Sequence, residues 1–485
     1  MKSAFVSTIS KVSWYLLVLS LPFTSFSLIS RIFGGTSVAP LSLFFLIISF
    51  AIALLPQLIK TRSLPSQVIL LLLFVVSALV SSALGNFIFI PSYRDAPVLK
   101  STIEGIVTLA TGISFFIVTI LMNKDEKSII TSVKIINISG LVIILYALLQ
   151  AGFWQLTNKY PTILYNFQEI ITINGRLYPG RVNAMAYEPS WLAHQLNLLY
   201  IPLWLGFSSQ HFSVYQRKLF NRVSFEFILL VFGVLVIFLS LSRIGWLTAL
   251  TLAVVILVQK INQAYNNYNL KRSRKVRWTK RLLFWFVVFL SLMIIVGIIG
   301  YIFTLIDPRM AKLFNFYQYI GKGLPGLIGW ASLLGIGERI AYWSIGYRVY
   351  SLHPFMGIGL GSTGNFFGSL IPEFAFRLPE VVRAYISGST PPNPKSLWIR
   401  LLAETGIVGF TFFTAWIYQH ALYAKGLIHT EDNQLTKVMG IFGILAIIAL
   451  LFEGFSLDTF GLPYYWIALG LIASVYRSKK KNDPG

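Results

Sequence analysis

The chain contains no cysteine, which excludes disulfides, thiolate nucleophiles and Cys-ligated metals. Acidic residues are scarce, 17 Asp and Glu among 485 residues, and no pair of them stands at metal-ligand spacing. Only 12% of residues are charged, against about 25% in an ordinary soluble domain, so the polar surface needed for life in water is missing. Alternating segments of about ten residues, the mark of an outer-membrane barrel, are absent. There is no internal repeat, and low complexity is confined to a short basic tail.

What remains is apolar: 56% of residues are hydrophobic and the mean hydropathy is +0.71. Such a chain partitions into lipid. With no water there to bond the backbone, each crossing segment must be a helix of roughly 20 apolar residues. The sequence predicts an all-α polytopic membrane protein with about twelve transmembrane helices. They lie at roughly 12–30, 39–57, 66–88, 104–122, 134–155, 189–207, 224–241, 243–260, 282–305, 396–420, 437–455 and 461–477. The seventh and eighth are nearly continuous and are parted by a tight turn at Ser240-Leu-Ser-Arg243. Lys2 and Lys11 ahead of the first run, with Ser25-Phe26-Ser27 behind it, resemble a signal peptide. The run is long for one, and a retained first helix is expected.

The net charge of +23 would suggest nucleic acid in a soluble protein. Aromatic and basic residues are not interleaved, however, and no nucleic-acid partner is expected. The basic residues fall instead in alternate connections: Lys60 and Arg62; Lys124, Lys127 and Lys134; Arg217, Lys218 and Arg222. They continue in the run from Lys271 to Arg277, then Lys425, then Arg477 and Lys479 to Lys481. That alternation is what positive-inside topology produces, and it predicts cytoplasmic N- and C-termini. Membrane lipids are the expected surroundings, and the 271–277 run also suits anionic headgroups. Two outer connections are long, about 154–187 and 304–394. The second, counted as 306–395, falls between the ninth and tenth spans and is rich in Gly, Pro and aromatics. It predicts a large ordered extracytoplasmic loop within a single integral-membrane domain, 1–485. Glu338 to Leu352 reads as an amphipathic helix with Ile340, Trp343 and Tyr347 on one side.

Ionisable groups beside membrane helices are costly, which makes them functional candidates. Arg176 and Arg181 lie in Gly175-Arg-Leu-Tyr-Pro-Gly-Arg181, shortly before Tyr187-Glu188-Pro189-Ser190. Pro189 suits a first helical turn, which puts Glu188 where the helix dipole favours a carboxylate; a simple capping acid reads the same way. Arg243 offers a planar fork that matches phosphate oxygens, or snorkels to the interface. Further on come Gly337-Glu-Arg339-Ile-Ala-Tyr-Trp343, His353-Pro-Phe-Met-Gly357-Ile-Gly359-Leu-Gly361, and Pro394-Lys395 leading to Ala-Glu404-Thr-Gly406-Ile-Val-Gly409. The three alternate glycines lack the strand–turn–helix setting of a dinucleotide site. His353 reads as a loop-fixing residue and His194 as a satisfied bundle histidine.

The ordered set of Ser-Arg243-x-Gly, Arg339-x-x-x-Trp343, His353 to Gly361 and Leu401 to Gly409 resembles the O-antigen ligase and polymerase superfamily. Across the N-terminal half only the topology matches. The resemblance implies a bacterial inner-membrane glycosyltransferase that needs no cofactor or metal. Its partners would be a polyprenyl-diphosphate-linked glycan donor, an acceptor, and a chain-length regulator. It implies polymerisation of repeat units into O-antigen, capsule or exopolysaccharide on the outer face, or else ligation of finished glycan to lipid A core or protein. The rival of another class is a lipid-linked oligosaccharide flippase, which would show related halves; none are seen. Ligase-type members carry a histidine nine residues before the motif glutamate, and here that position is Lys395. With donor chemistry of this kind, Arg181, Arg243 and Arg339 are the expected diphosphate-binding residues. Glu188, Lys395 and Glu404 are the candidate catalytic residues, with Glu188 favoured as the base.

Overall fold

The computed structural model describes residues 2–56, 65–94, 97–215, 223–271, 278–306, 311–388, 390–429 and 433–482. Apolar runs with nothing but lipid to face close their own hydrogen bonds, and each of the twelve apolar stretches lies largely in helix. In order these are α1 (Lys2–Leu19), α2 (Ser42–Ser49, extended by a π turn at Phe50–Leu54), α3 (Ile69–Leu84), α4 (Val98–Met122) and α5 (Glu126–Thr157). A surface helix, α6 (Thr162–Ile171), precedes α7 (Pro189–Gln195), which runs through a π turn at Leu196–Tyr200 into α8 (Ile201–Ser209). Then come α9 (Phe225–Leu239), α10 (Arg243–Lys271) and α11 (Trp278–Ile306). The 306–395 segment carries α12 (Gly323–Leu333), α13 (Gly337–Leu352) and α14 (Pro379–Ser387). The chain closes with α15 (Leu397–Ile428), α16 (Gln434–Glu453) and α17 (Tyr464–Asn482).

Seven of the described helices are long and apolar enough to cross a membrane: Ser66–Phe87, Val98–Met122, Glu126–Thr157, Arg243–Asn269, Trp278–Ile302, Leu397–Ile428 and Gln434–Glu453. Three shorter apolar helices accompany them, at Thr8–Leu19, Ser42–Ile52 and Phe225–Leu239. The expected count of about twelve therefore rests on these shorter pieces, on the π-interrupted α7–α8 segment and on α17. The turn at 240–243 exists and separates α9 from α10.

Tryptophans set into glycine gaps bring the helices together, as small residues do in membrane bundles. Trp204 fills the space beside both Gly140 and Gly233, where a β-carbon would stand 2.5 Å from its ring in either case. Trp466 occupies the same role beside Gly112.

Polar contacts sort the bundle into two ends. At one end Asn433 donates to Glu126 at 3.1 Å, and the Lys134 ammonium stands over the Tyr215 ring at 5.8 Å. Tyr423 stacks on Tyr476 at 4.1 Å there, and Lys260 donates to the Ser209 carbonyl. At the other end Tyr187 N donates to Thr24 at 2.9 Å, Arg181 Nε to Ser240 O at 3.0 Å and Ser396 to Gly454 O at 3.1 Å. Of the basic residues in alternate connections, Lys60, Arg62, Arg217, Lys218, Arg222 and Arg272 to Arg277 lie outside the described residues.

The helix expected over Glu338–Leu352 is α13, but its packed face differs from the expected one. Ala341, Tyr342, Ile345 and Val349 are buried, whereas Tyr347 is 59% exposed. Aromatic partners explain the choice: Tyr342 stacks on Phe367 at 5.7 Å, and Tyr93 meets the same ring edge-on at 6.2 Å.

Candidate active site

The end opposite Lys134 and Lys260 gathers every candidate loop. The segment between α6 and α7 is folded by its own amides. Asn183 donates to the carbonyls of Arg176 and Ala186 at 3.3 and 2.9 Å, and Asn174 donates to Tyr187 O at 2.6 Å. From α5, the Gln150 carbonyl oxygen accepts Asn183 N and Ala184 N at 3.2 and 2.9 Å. Left-handed backbone at Gly175, Gly180 and Ala184 turns the chain on itself. Arg176, Tyr178, Arg181 and Glu188 thereby come together. Burial raises the Tyr178 phenol above its ordinary pKa, the Glu188 carboxylate adds to the rise, and the Arg176 and Arg181 guanidiniums oppose it. Glu188 caps α7 from an extended conformation, is half-buried, and accepts from Ser190 Oγ.

Two of the three arginines singled out in the sequence meet at the α9–α10 turn, and the third follows shortly after the glycine that one of them touches. Arg181 Nε donates to the Ser240 carbonyl at 3.0 Å, and Val182 N pairs with Leu239 O at 3.1 Å, so this loop lies along the α9–α10 turn. Arg243 leads α10 from that turn. Its guanidinium packs against Gly335, where a β-carbon would stand 3.1 Å from Nη2. Gly335 ends the α12–α13 turn, and Arg339 follows in the first turn of α13. Arg339 is half-buried, and its Nη1 is buried with no hydrogen-bond partner among the described residues.

Lys395 has a left-handed backbone (φ +56) immediately before Ser396, which caps α15. Its ammonium stands 5.6 Å over the Tyr342 ring, and its carbonyl accepts from Trp343 Nε1 at 3.5 Å. Lys395 thus sits against the same helix that carries Arg339. Tyr342 has its phenol pKa raised, chiefly by burial and then by the Glu380 carboxylate, to which it donates at 3.3 Å. A narrow cleft beside Lys395 is lined by Tyr342, Ile345, Thr363, Phe367 and Asn393, with prolines 392 and 394.

Glu404 is placed differently. It is 1% exposed, Arg400 Nε donates to it at 3.0 Å, and Thr363 Oγ1 stands at 3.4 Å. Arg400 also donates to Asp458 O at 2.6 Å. This ion pair escaped the sequence reading, although its i, i+4 spacing on a helix was the available signal. Among the described residues, no group of three or more His, Asp or Glu could hold a metal ion.

The alternate glycines have a steric explanation. The 353–361 strap crosses α15 where that helix is broken at Gly406 (φ +62). Across the break Ile358 N donates to Ala403 O at 3.1 Å and Gly359 N to Glu404 O at 2.9 Å, while Ile407 N donates to Pro354 O at 2.8 Å. The strap thus bonds the groups that the break frees, as non-helical backbone at membrane depth requires. A β-carbon at Gly357 would stand 2.5 Å from Glu404 C, one at Gly359 2.9 Å from Ser82 Cα, and one at Gly361 would run into Ser101 O. His353 ends α13 through its backbone, and its carbonyl accepts Gly357 N at 3.0 Å.

An all-helical, membrane-embedded chain with cationic loops gathered at one end is the class of protein that fold and site define. Residues 228–414 match the family model of O-antigen ligase. The match takes in the Arg243 turn, α13, the glycine strap and the broken helix, so the resemblance to the O-antigen polymerase and ligase superfamily holds. The comparison with curated proteins finds no match.

Proposed function

We propose that this protein is an inner-membrane glycosyltransferase that extends a polysaccharide on the outer face, using polyprenyl-diphosphate-linked repeat units as donor. The observation that supports this reading is the meeting of Arg181 with the turn that Arg243 leads, and of Arg243 with Gly335, four residues before Arg339. A sugar leaving from a polyprenyl diphosphate leaves about two negative charges behind, and fixed guanidiniums stabilise that charge as it develops. No metal is needed where arginines supply the charge. The buried Arg339 Nη1 is a donor with no hydrogen-bond partner among the described residues.

In this mechanism the acceptor hydroxyl attacks the anomeric carbon, the bond to the diphosphate oxygen breaks, and Glu188 takes the hydroxyl proton. Glu188 is the better base because it is half-buried at a helix start and its contact is a hydroxyl, Ser190 Oγ, not a cation. The Glu404 carboxylate is committed to Arg400. Lys395 acts as a further cation at the edge of the cleft. Segregation of Lys134 and Lys260 to the opposite end supports cytoplasmic termini and an extracytoplasmic 306–395 cap.

Ligation is the second reading, favoured by the description of the matching family. Purified protein given a synthetic polyprenyl-diphosphate repeat unit decides between the two. A ladder of lengthening chains on the lipid supports polymerisation, transfer only to lipid A core or protein supports ligation, and no transfer at all refutes both.

A further inference from the structure

Three polar side chains lie inside the bundle beneath the arginine junction, and the transfer chemistry above uses none of them. His194 is 1% exposed, and Asn197, three residues on, is fully buried on the same helical face. Glu453, also fully buried, ends α16. Its Oε2 lies 2.6 Å from His194 Nδ1, and its Oε1 accepts from Asn197 Nδ2 at 2.6 Å. The same amide donates at 3.0 Å to the carbonyl of Gly245, two residues after Arg243. Only glycine allows this approach, since a β-carbon at 245 would stand 2.6 Å from Ala193 Cβ. One residue beyond Glu453, the Gly454 carbonyl accepts Ser396 Oγ at 3.1 Å and Leu397 N at 2.8 Å. One carboxylate and the peptide after it therefore tie together three helix starts: those of Glu188, Arg243 and Lys395.

Such a set is an expensive way to hold helices together. Ionisable groups inside membrane bundles are costly. Asn197 also leaves its Oδ1 buried without a partner among the described residues, and a π turn begins next to it at Leu196, a distortion common at functional sites. What the set supplies is direction, because hydrogen bonds fix angle and distance where apolar contact does not. We infer that Glu453 is a positioning residue: with Asn197 it sets where Arg243 and Lys395 stand relative to Glu188. This rests on the glycosyl-transfer reading.

The test measures binding of a polyprenyl diphosphate without glycan to the purified full-length protein, alongside transfer rates. Glu453→Ala and Asn197→Ala are each expected to weaken binding about tenfold, the scale of one hydrogen bond to a charged group. The double variant should be no weaker than either single one, because both break the same link. Glu453→Gln should recover to within about threefold, since its amide oxygen still accepts from Asn197. Wild-type binding by Asn197→Ala and Glu453→Ala, with binding lost in Arg243→Ala, overturns the inference and leaves the transfer reading standing. Wild-type binding by Arg243→Ala removes that reading itself. If Glu453→Ala does not fold, Asn197→Ala, which keeps the His194 contact, decides alone.

Discussion

The Arg243 guanidinium lies against Gly335, with Nη2 3.1 Å from where a β-carbon on that residue would stand. Gly335 also has φ +62, so Gly335→Ala strains the turn and pushes the arginine aside. The strain should cost roughly 1–2 kcal/mol of stability. Binding of a polyprenyl diphosphate should weaken severalfold at temperatures where the variant is still folded. Titration beside a thermal melt checks this, and unchanged affinity would count against Arg243 as part of the grip.

Removing the arginines tests the grip directly. Arg243→Ala and Arg339→Ala should each lower glycan transfer by about 100-fold or more, the scale of losing one preorganised donor to developing charge. The protein should remain in the membrane. Arg243→Lys should recover only part of the rate, because an ammonium lacks the planar fork. Transfer per mole of purified protein is the measure.

Lys395 separates backbone from side chain. Its φ of +56 is a conformation that glycine adopts freely, so Lys395→Gly should melt no lower than wild type and gain up to about 1 kcal/mol. Loss of the ammonium beside Tyr342 should nevertheless slow transfer. A variant that melts and transfers as wild type would take Lys395 out of the site.

The two glutamates should part company. Glu188→Gln removes the proposed proton acceptor and should cost about 100-fold in rate with little change in melting temperature. Glu404→Gln should keep most of the activity. Arg400→Met leaves the Glu404 carboxylate buried and unpaired, which should cost about 3–5 kcal/mol. The reverse pattern, with Glu404→Gln inactive and Glu188→Gln active, would exchange their roles.

Tyr160 gives a pH test of the loop beside the site. Its hydroxyl donates to Tyr178 O at 2.9 Å, and its phenol is pushed up to about 12, mainly by burial and then by Tyr165. A folded value above the unfolded one, about 10, means that the contribution is complete below that pH and is lost as pH rises through about 12. Wild type should therefore lose its melting advantage over Tyr160→Phe across that window. A constant difference up to pH ~12 would contradict the burial of this phenol.

The helices were legible in the sequence because lipid leaves an apolar run no alternative to bonding itself. The 240–243 turn was legible for the same reason, since Ser240 and Arg243 interrupt an otherwise continuous run. The face of α13 was not, because Tyr342 is buried against the Phe367 ring, which Tyr93 in turn meets edge-on, and neither is a local neighbour in sequence. His194 was read as a satisfied bundle histidine, and its bond to Glu453 agrees. That its partner would be Glu453, 259 residues away, had no local signal. The strap had one: glycines at 357, 359 and 361 together with Gly406, which mark backbone lying on backbone.

That strap has a consequence for biosynthesis. Ser81 donates to the carbonyl of Glu404, 323 positions later, and receives Gly359 N from 278 positions later. A chain made from its N-terminus delivers α3 to the bilayer long before either partner leaves the ribosome. The crossing of α3, strap and broken α15 can thus be tied only near the end of translation. A ribosome that stops short of Gly406 leaves behind an inserted protein whose seam cannot close.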